Sequence, residues 1–490
     1  MSAAELRFSD VLAGTGGVRL CGLAERFTGI STDTRTVAEG ELFWALRGPT
    51  FDGHDFVAKA FARGAAGAVV EAGYQLERAT PRRPEQVLVA VDDTLHALGD
   101  LASYWRRARS PKVVAITGSN GKTTTKEMVA RVLGSAYPVL VTKGNFNNLI
   151  GMPLTMLRLR DEPVAVIEMG MNAPGEIRRM AQIARPDVGL ITQIAPAHLE
   201  GLGTIDGVAE AKWELFDELS RHATALVNLD DVKLIERRSR LKCLATTFGL
   251  RGGDVHAENV VDTGLDGVRF TVVVAPGLDG VRRDAQRAEV HLRLLGLHNV
   301  GNALGAIAVG AVLGVPASAA AQALGALAPV PGRMCPRRLG QEVVVLDDTY
   351  NANPASMAAA LATGARAATG RARIAVLGEM RELGTSAEEA HREIGQRVAR
   401  EGYELLVVLG DAASGLAAGA RAAGMADRRI RSFPSDDPGA AVRAVLDEAA
   451  GGPALVVIKG SRGARMERVV TGLVEALGET EPPPSAAVHG

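Results

Sequence analysis

Cysteine is scarce: Cys21, Cys243 and Cys335 are the only three in 490 residues, an odd number without CxxC spacing. That excludes a disulfide framework and a clustered zinc site, and leaves small buried hydrophobes as the expected role. An excess of either charge is also missing, with 55 Lys plus Arg against 56 Asp plus Glu. No global field therefore favours nucleic acid or an anionic membrane. No apolar run approaches the roughly 18 to 20 residues that span a bilayer. The start, MSAAELRFSD, carries acids where a secretory signal would carry a basic and then an apolar segment. A cytoplasmic protein is expected, with no nucleic-acid partner and no membrane insertion. What the chain does have is 47% apolar and 23% charged residues, enough for several cores. At roughly 100 to 200 residues per domain, about two to four domains follow, and three are expected.

The pattern along the chain places the boundaries. A helical stretch, HALGDLASYWRRARSP, runs into Pro111. Four short apolar runs then alternate with helix-period segments: KVVAITG, PVAVIEMG, DVGLITQI and ATALVNLDD. This reads as parallel strands buried on both faces, with polar residues at the C-terminal edge where ligands of open α/β sheets bind. From about Gly252 to Leu295 the sequence alternates as antiparallel side strands do. The linker APVPGRM follows, and then EVVVLDD, RIAVLGE, YELLVVLGD and PALVVIKGS repeat the strand-and-helix pattern. Expected spans are 1–110, 111–332 and 333–478, with a Pro-rich disordered tail at 479–490.

Chemistry concentrates in AITGSNGKTTTKE, Ala115 to Glu127. Strand, glycine turn and helix start in succession point backbone N–H groups and a helix dipole at phosphate. The loop is two residues shorter than a Walker A motif, because only Ser119 and Asn120 separate Gly118 from Gly121. Lys122 would neutralise phosphate, and the hydroxyl of Thr123 or Thr124 would reach Mg²⁺. Glu168 ends the next strand and is either a Mg²⁺ ligand or a loop cap. His198 and Glu200 follow the third strand, where a structural histidine is the commoner outcome. Lys212, beside Trp213 and Phe216 on a helix, reads by residue type alone as a snorkelling surface lysine. Where a GTPase would carry Asn-Lys-x-Asp, this chain has NLDD, Asn228 to Asp231, which disfavours a guanine switch.

Taken together, TGSNGKTTTKE, KGNFNNLIGMPLTML, VIEMGMNAPGEI, ITQIAPAHLEGLGT, EAKWELF, LGLHNVGNALGA, PGRM, LDDTYNANPASM, LGEMRELG and KGSRGARME closely resemble the Mur ligase family. The resemblance is collinear over almost the whole chain, and the short loop is one of the family's marks. It implies an α/β fold of three domains. These are a small N-terminal α/β uridine-binding domain, a central P-loop ATPase-like parallel sheet with antiparallel side strands, and a C-terminal Rossmann-like doubly wound domain. STDTRTVAEGELFWALRG and DDTYNANPASM are most similar to the branch that joins D-alanyl-D-alanine to UDP-N-acetylmuramoyl-tripeptide, and the Asp-Asn-Pro-Arg of the branch adding the third amino acid does not occur.

The resemblance also implies roles. ATP would be held by Gly118, Ser119, Asn120, Gly121, Lys122, Thr123 and Thr124, with Asn299 and Asn302 at adenine and Asp348 or Asp347 at the ribose. Arg333 would lie near the γ-phosphate. Two Mg²⁺ sites would draw on Thr123, Glu168, His198 and Lys212, the last as a CO₂-derived carbamate. That reverses the residue-type reading of Lys212. Lys122, His198, Lys212 and Arg333 form the implied catalytic set. Thr32, Asp33 and Arg35 match the uridine-site motif, and Thr142, Asn145, Asn147 and Asn148 match the nucleotide-sugar segment. Asn351 and Asn353 are candidate contacts for the dipeptide. A monomer is expected.

Overall fold

The computed structural model describes residues 6–79, 83–196 and 199–481. Three large sheets divide the chain. The first has five strands in the order Val18–Cys21, Val87–Val91, Gly67–Glu71, Leu42–Trp44, Ile30–Ser31, parallel except for Val18–Cys21. The helix Thr94–Arg109 leaves this sheet. Asp93 caps it by accepting the His96 N–H, and Ser110 ends it in a left-handed conformation immediately before Pro111. Trp105 on this helix is buried and donates its indole N–H to the Leu159 carbonyl 3.0 Å away in the next unit. Apolar packing is continuous across that junction, from Leu98 and Leu101 to Met156 and Ile183.

The central sheet has nine strands, ordered Gln286–Leu292, Val268–Val274, Val255–Asp262, Leu244–Gly249, Thr224–Asn228, Val188–Ile191, Lys112–Thr117, Val164–Glu168, Val139–Val141. Seven, from Val139–Val141 to Val255–Asp262, run parallel; Val268–Val274 then pairs antiparallel with Val255–Asp262 and with Gln286–Leu292, as the alternating sequence there suggests. The central parallel strands Lys112–Thr117, Val164–Glu168, Val188–Ile191 and Thr224–Asn228 are buried almost throughout because both faces are covered. Val113 and Ala115 point into one core and Val114 and Ile116 into the other. The C-terminal ends of four neighbouring strands therefore meet at one edge, bringing Thr117, Glu168, Ile191 and Asn228 together.

The last sheet has seven strands, in the order Ile430–Phe433, Leu405–Leu409, Ala372–Gly378, Ala454–Lys459, Val343–Asp348, Cys335–Leu339, Glu479–Glu481. Its first five are parallel, and alternate side chains again serve two cores: Val344 and Leu346 face one, Val343 and Val345 the other. The expected tail needs correction at its start. Glu479–Glu481 is an antiparallel edge strand on Cys335–Leu339, and Arg337 holds Glu479 through two bonds of 2.8 and 2.7 Å. The composition of EPPP masked this strand, and the remaining tail positions, 482–490, lie outside the described residues.

Two helices on one face of this sheet, Ala387–Arg400 and Ser414–Ala422, approach unusually closely. A Cβ on Gly395 would overlap the Leu416 carbonyl, and one on Gly419 the Arg392 carbonyl. Overpacking so tight a contact costs about 1–3 kcal/mol. Gly419→Ala is accordingly expected to lower the stability of this domain by that amount, read as a lower denaturant midpoint at unchanged slope.

Candidate active site

The phosphate-loop candidate is held before any ligand arrives. Gly118 has φ +150°, and a side chain there would overlap the Thr192 hydroxyl. That hydroxyl donates to the Asn120 carbonyl at 2.5 Å. Ser119 exchanges two bonds with Ala195, giving its hydroxyl to the carbonyl at 2.8 Å and accepting the N–H at 2.9 Å, while its own N–H goes to Gln193 O at 2.7 Å. The Thr192–Ala195 segment is pinned in turn by Asn228 Nδ2 on Thr192 O and by Asp231 Oδ2, which accepts the Ile194 N–H. Ser119 is thus an anchor for the loop. Its side chain and amide are engaged within the loop, while the residue itself lies in the cleft lining. At Gly121, φ +79°, a Cβ would fall 2.5 Å from Asn302 Oδ1. The helix Lys122–Leu133 starts there, and the amides of its first turn lack intrahelical acceptors and face its N-terminal end.

Around this loop stands a chain of polar contacts. Thr123 Oγ1 donates to Glu168 Oε1 at 3.3 Å and accepts from Arg333 Nη2 at 3.2 Å. Asn147 Nδ2 donates to the same Glu168 oxygen at 2.7 Å, and Thr142 Oγ1 accepts the Glu168 N–H at 3.0 Å. Glu168 is buried, and its Oε2 has no partner among the described residues. A buried carboxylate oxygen without a donor, next to a hydroxyl, is a hard-oxygen set that fits Mg²⁺. Among the described residues no three His, Cys, Asp or Glu side chains converge on one point, so most of a cation's ligands here would come from substrate and water.

Lys122 Nζ donates to Gly118 O at 2.7 Å. Burial pulls its pKa down, Glu168 opposes that, Arg333 adds to it and Glu382 opposes it. Lys212 is 1% exposed, on the helix Ile205–Asp217. The surface reading from residue type fails because Trp213 and Phe216, edge to face at 5.1 Å, are buried on the same helix. Burial first and the Lys122 charge second depress the Lys212 pKa far below the ordinary value. His198 lies outside the described residues, and Glu200 is exposed.

The loop opens into a cleft of about 430 Å³ between the central and last sheets. Thr124, Asn145, Asn147, Asn148, Asn299, Asn302, Asp348, Asn351 and Asn353 line it. Asn299 Nδ2 is bound to Leu295 O, and its Oδ1 accepts from Asn302, which fixes the pair. Of the two aspartates, Asp348 lines the cleft, whereas Asp347 accepts both the hydroxyl and the N–H of Thr349. Two further asparagines are partly committed to structure. Asn148 Oδ1 accepts the Ile150 and Gly151 amides. Asn353 caps the helix Pro354–Ala367 and donates to Asn120 Oδ1 at 2.7 Å, tying the two domains. Thr142 is buried beneath the cleft, its carbonyl held by Lys126 at 2.8 Å.

Thr32, Asp33 and Arg35 are not in this lining. They form a surface turn in which Arg35 donates to both carboxylate oxygens of Asp33, and that hydrogen bonding lowers the Asp33 pKa to about 2. Residue reasoning missed Lys459, Tyr350 and His298 in the cleft wall. Lys459 was findable, since it ends PALVVIK at the ligand-bearing edge of its sheet.

A phosphate-ready loop, a buried carboxylate and an arginine supplied by a neighbouring domain define a nucleotide-dependent enzyme of multi-domain α/β build. The chain belongs to the Mur ligase family. It matches the Mur ligase middle domain over residues 116–310, the Mur ligase glutamate ligase domain over 332–462, and the Mur ligase family catalytic domain over 26–106. It is 35% identical over 450 residues to the UDP-N-acetylmuramoyl-tripeptide--D-alanyl-D-alanine ligase of Bacillus subtilis (91% of this chain, 93% of that one). To the ligase of the same name in Escherichia coli it is 35% identical over 473 residues (96% and 98%). Among solved structures, MurF from Acinetobacter baumannii superposes with a TM-score of 0.85 at 31% identity, covering 97% and 100% of the chains. The MurF ligase of Thermotoga maritima in complex with ADP gives 0.78 at 28%, covering 91% and 97%.

Lys212 yields a stability prediction. Its folded-state pKa is depressed, so the folded chain holds this proton less tightly than the unfolded chain does, a cost to stability that shrinks as pH rises through the folded pKa toward 10.5. Lys212→Met is expected to raise the melting temperature at pH 7, with the gain diminishing at higher pH. A difference between the two proteins that does not change with pH would contradict the depressed pKa.

Proposed function

We propose that this ligase joins D-alanyl-D-alanine to UDP-N-acetylmuramoyl-tripeptide, with ATP cleaved to ADP and phosphate, in the synthesis of peptidoglycan precursors in the cytoplasm. The observation that carries the reading is the contact of Arg333 and Glu168 on one Thr123 hydroxyl across the cleft. The tripeptide carboxylate attacks the γ-phosphorus and the P–O bond to ADP breaks, giving an acyl phosphate. The dipeptide amine then attacks the acyl carbon, loses a proton, and phosphate departs with one former carboxylate oxygen.

Bringing two anions together demands fixed donors and cations. In this reading the first-turn amides and Lys122 hold the β- and γ-phosphates, and Arg333 faces the transferring group. Asn299 and Asn302 flank adenine, and Asp348 meets the ribose. Thr32, Asp33 and Arg35 receive the uridine end, Asn145 and its neighbours the sugar, and Asn351 the dipeptide. Mg²⁺ bound at Thr123 and Glu168, with a second ion at His198, would neutralise phosphate charge. Lys212, whose burial disfavours the charged form, is suited to take up CO₂: its neutral amine bonds the carbon, releases a proton and becomes an anionic carbamate. The domains would span 1–110, 111–332 and 333–481, acting as a monomer.

The test is ADP release coupled to amide formation, with lysine- and meso-diaminopimelate-containing UDP-tripeptides assayed side by side. Turnover is expected only when a UDP-tripeptide and D-alanyl-D-alanine are both present. Arg333→Ala should lower kcat by about 10²–10³-fold. ATP hydrolysis without amide product would overturn the reading.

A further inference from the structure

Lys459 takes no part in the reading above, yet it is a buried cation in the cleft wall. It ends the strand Ala454–Lys459, where its register neighbour is Asp348. Its side chain is 3% exposed and makes two short bonds, to Asp348 Oδ2 at 2.6 Å and to the Asn351 carbonyl at 2.7 Å. The second oxygen of Asp348 is also engaged, accepting the Met334 N–H at 3.1 Å.

Met334 is where this network meets the chemistry. Its φ is +50°, a left-handed conformation unfavourable for a residue with a side chain, and such strain persists only when neighbours over-determine it. It directly follows Arg333 in the turn that joins the central and last sheets. That turn is fastened to the segment after Asp348 at a second point, where the Tyr350 N–H donates to Gly332 O at 3.1 Å. The Arg333 guanidinium then lies 4.1 Å over the Tyr350 ring and reaches Thr123 Oγ1. Lys459, Asp348, Met334 and Arg333 thus form one mechanical series, running from the last sheet's edge to the phosphate loop.

We propose that Lys459 is a positioning residue for Arg333. By holding Asp348 Oδ2 and the Asn351 carbonyl, it keeps Asp348 Oδ1 on the Met334 amide, locks the strained turn, and so aims the guanidinium across the cleft. A carboxylate in Asp348's place without the ammonium would be free to rotate, and the turn would lose the acceptor that fixes it. The catalytic consequence rests on the proposed ligase reading; the clasp itself does not.

Two measurements on the full chain separate these. Amide hydrogen exchange without any ligand reads the clasp alone. Lys459→Met is expected to speed exchange at Met334 by about tenfold or more, with the strands Lys112–Thr117 and Leu405–Leu409 unchanged and Lys459→Arg close to the parent protein. Lys459→Gln serves if Lys459→Met does not fold. Unchanged Met334 exchange would overturn the proposal. The second measurement is a kinetic cycle with Arg333→Ala. If Lys459 acts through Arg333, Lys459→Met lowers kcat by about tenfold or more alone but adds nothing in the Arg333→Ala background. Fully additive losses would overturn the positioning role. Absence of ligase turnover in the parent protein would refute the functional reading and leave the exchange result to decide the clasp.

Discussion

One hydroxyl, Thr123 Oγ1, is shared by two domains, and most of the site is arranged to make that sharing possible. It gives its proton to Glu168 and accepts one from Arg333. For the first contact, the strands Lys112–Thr117 and Val164–Glu168 must lie side by side in parallel register, so that a helix start and a carboxylate emerge at the same edge. For the second, the linker must turn back over the loop, which requires Gly332 and Met334 both at positive φ. The bonds that pin Ser119, Asn120 and Thr192 hold the loop in one shape, so a ligand meets donors already in place.

The electrostatics follow from the same geometry. Lys122, Lys212 and Lys459 are all driven toward neutrality by burial, and Arg333 contributes to that pressure on Lys122 and Lys459. Against them stand Glu168 and Asp348, each already bonded on at least one oxygen. Buried cations destabilise a fold unless they are paired. A site short of anions, assembled at a helix N-terminus, is relieved when polyphosphate enters, so part of the folding cost becomes ligand affinity.

Much of the frame was legible in the sequence because its strands are buried on both faces and read as short uninterrupted apolar runs. KVVAITG and PVAVIEMG needed no tertiary information. The loop's neighbours were harder. Ser119 sits inside a phosphate motif, yet its hydroxyl serves Ala195, a partner 76 positions away that no local spacing reveals. Lys212 looked like a surface lysine because residue type carries no record of which helix face meets the core; only the resemblance pointed inward, and its burial supports that direction. Asn353 lines the cleft and also caps a helix, a second role that its place before Pro354 already marked. The edge strand Glu479–Glu481 was hidden by the prolines after it, since composition averages over a window longer than the strand.

The central claim is that the cleft activates a carboxylate by phosphorylation before an amine arrives. Oxygen transfer tests it most directly. UDP-N-acetylmuramoyl-tripeptide labelled with ¹⁸O in its reacting carboxylate is turned over with ATP and D-alanyl-D-alanine, and the released phosphate is analysed by mass spectrometry. The mechanism predicts one labelled oxygen in each phosphate formed, because the acyl C–O bond breaks when the amine attacks. Phosphate free of label, formed at the same rate as amide, would show that the γ-phosphoryl group went to water and would contradict the account.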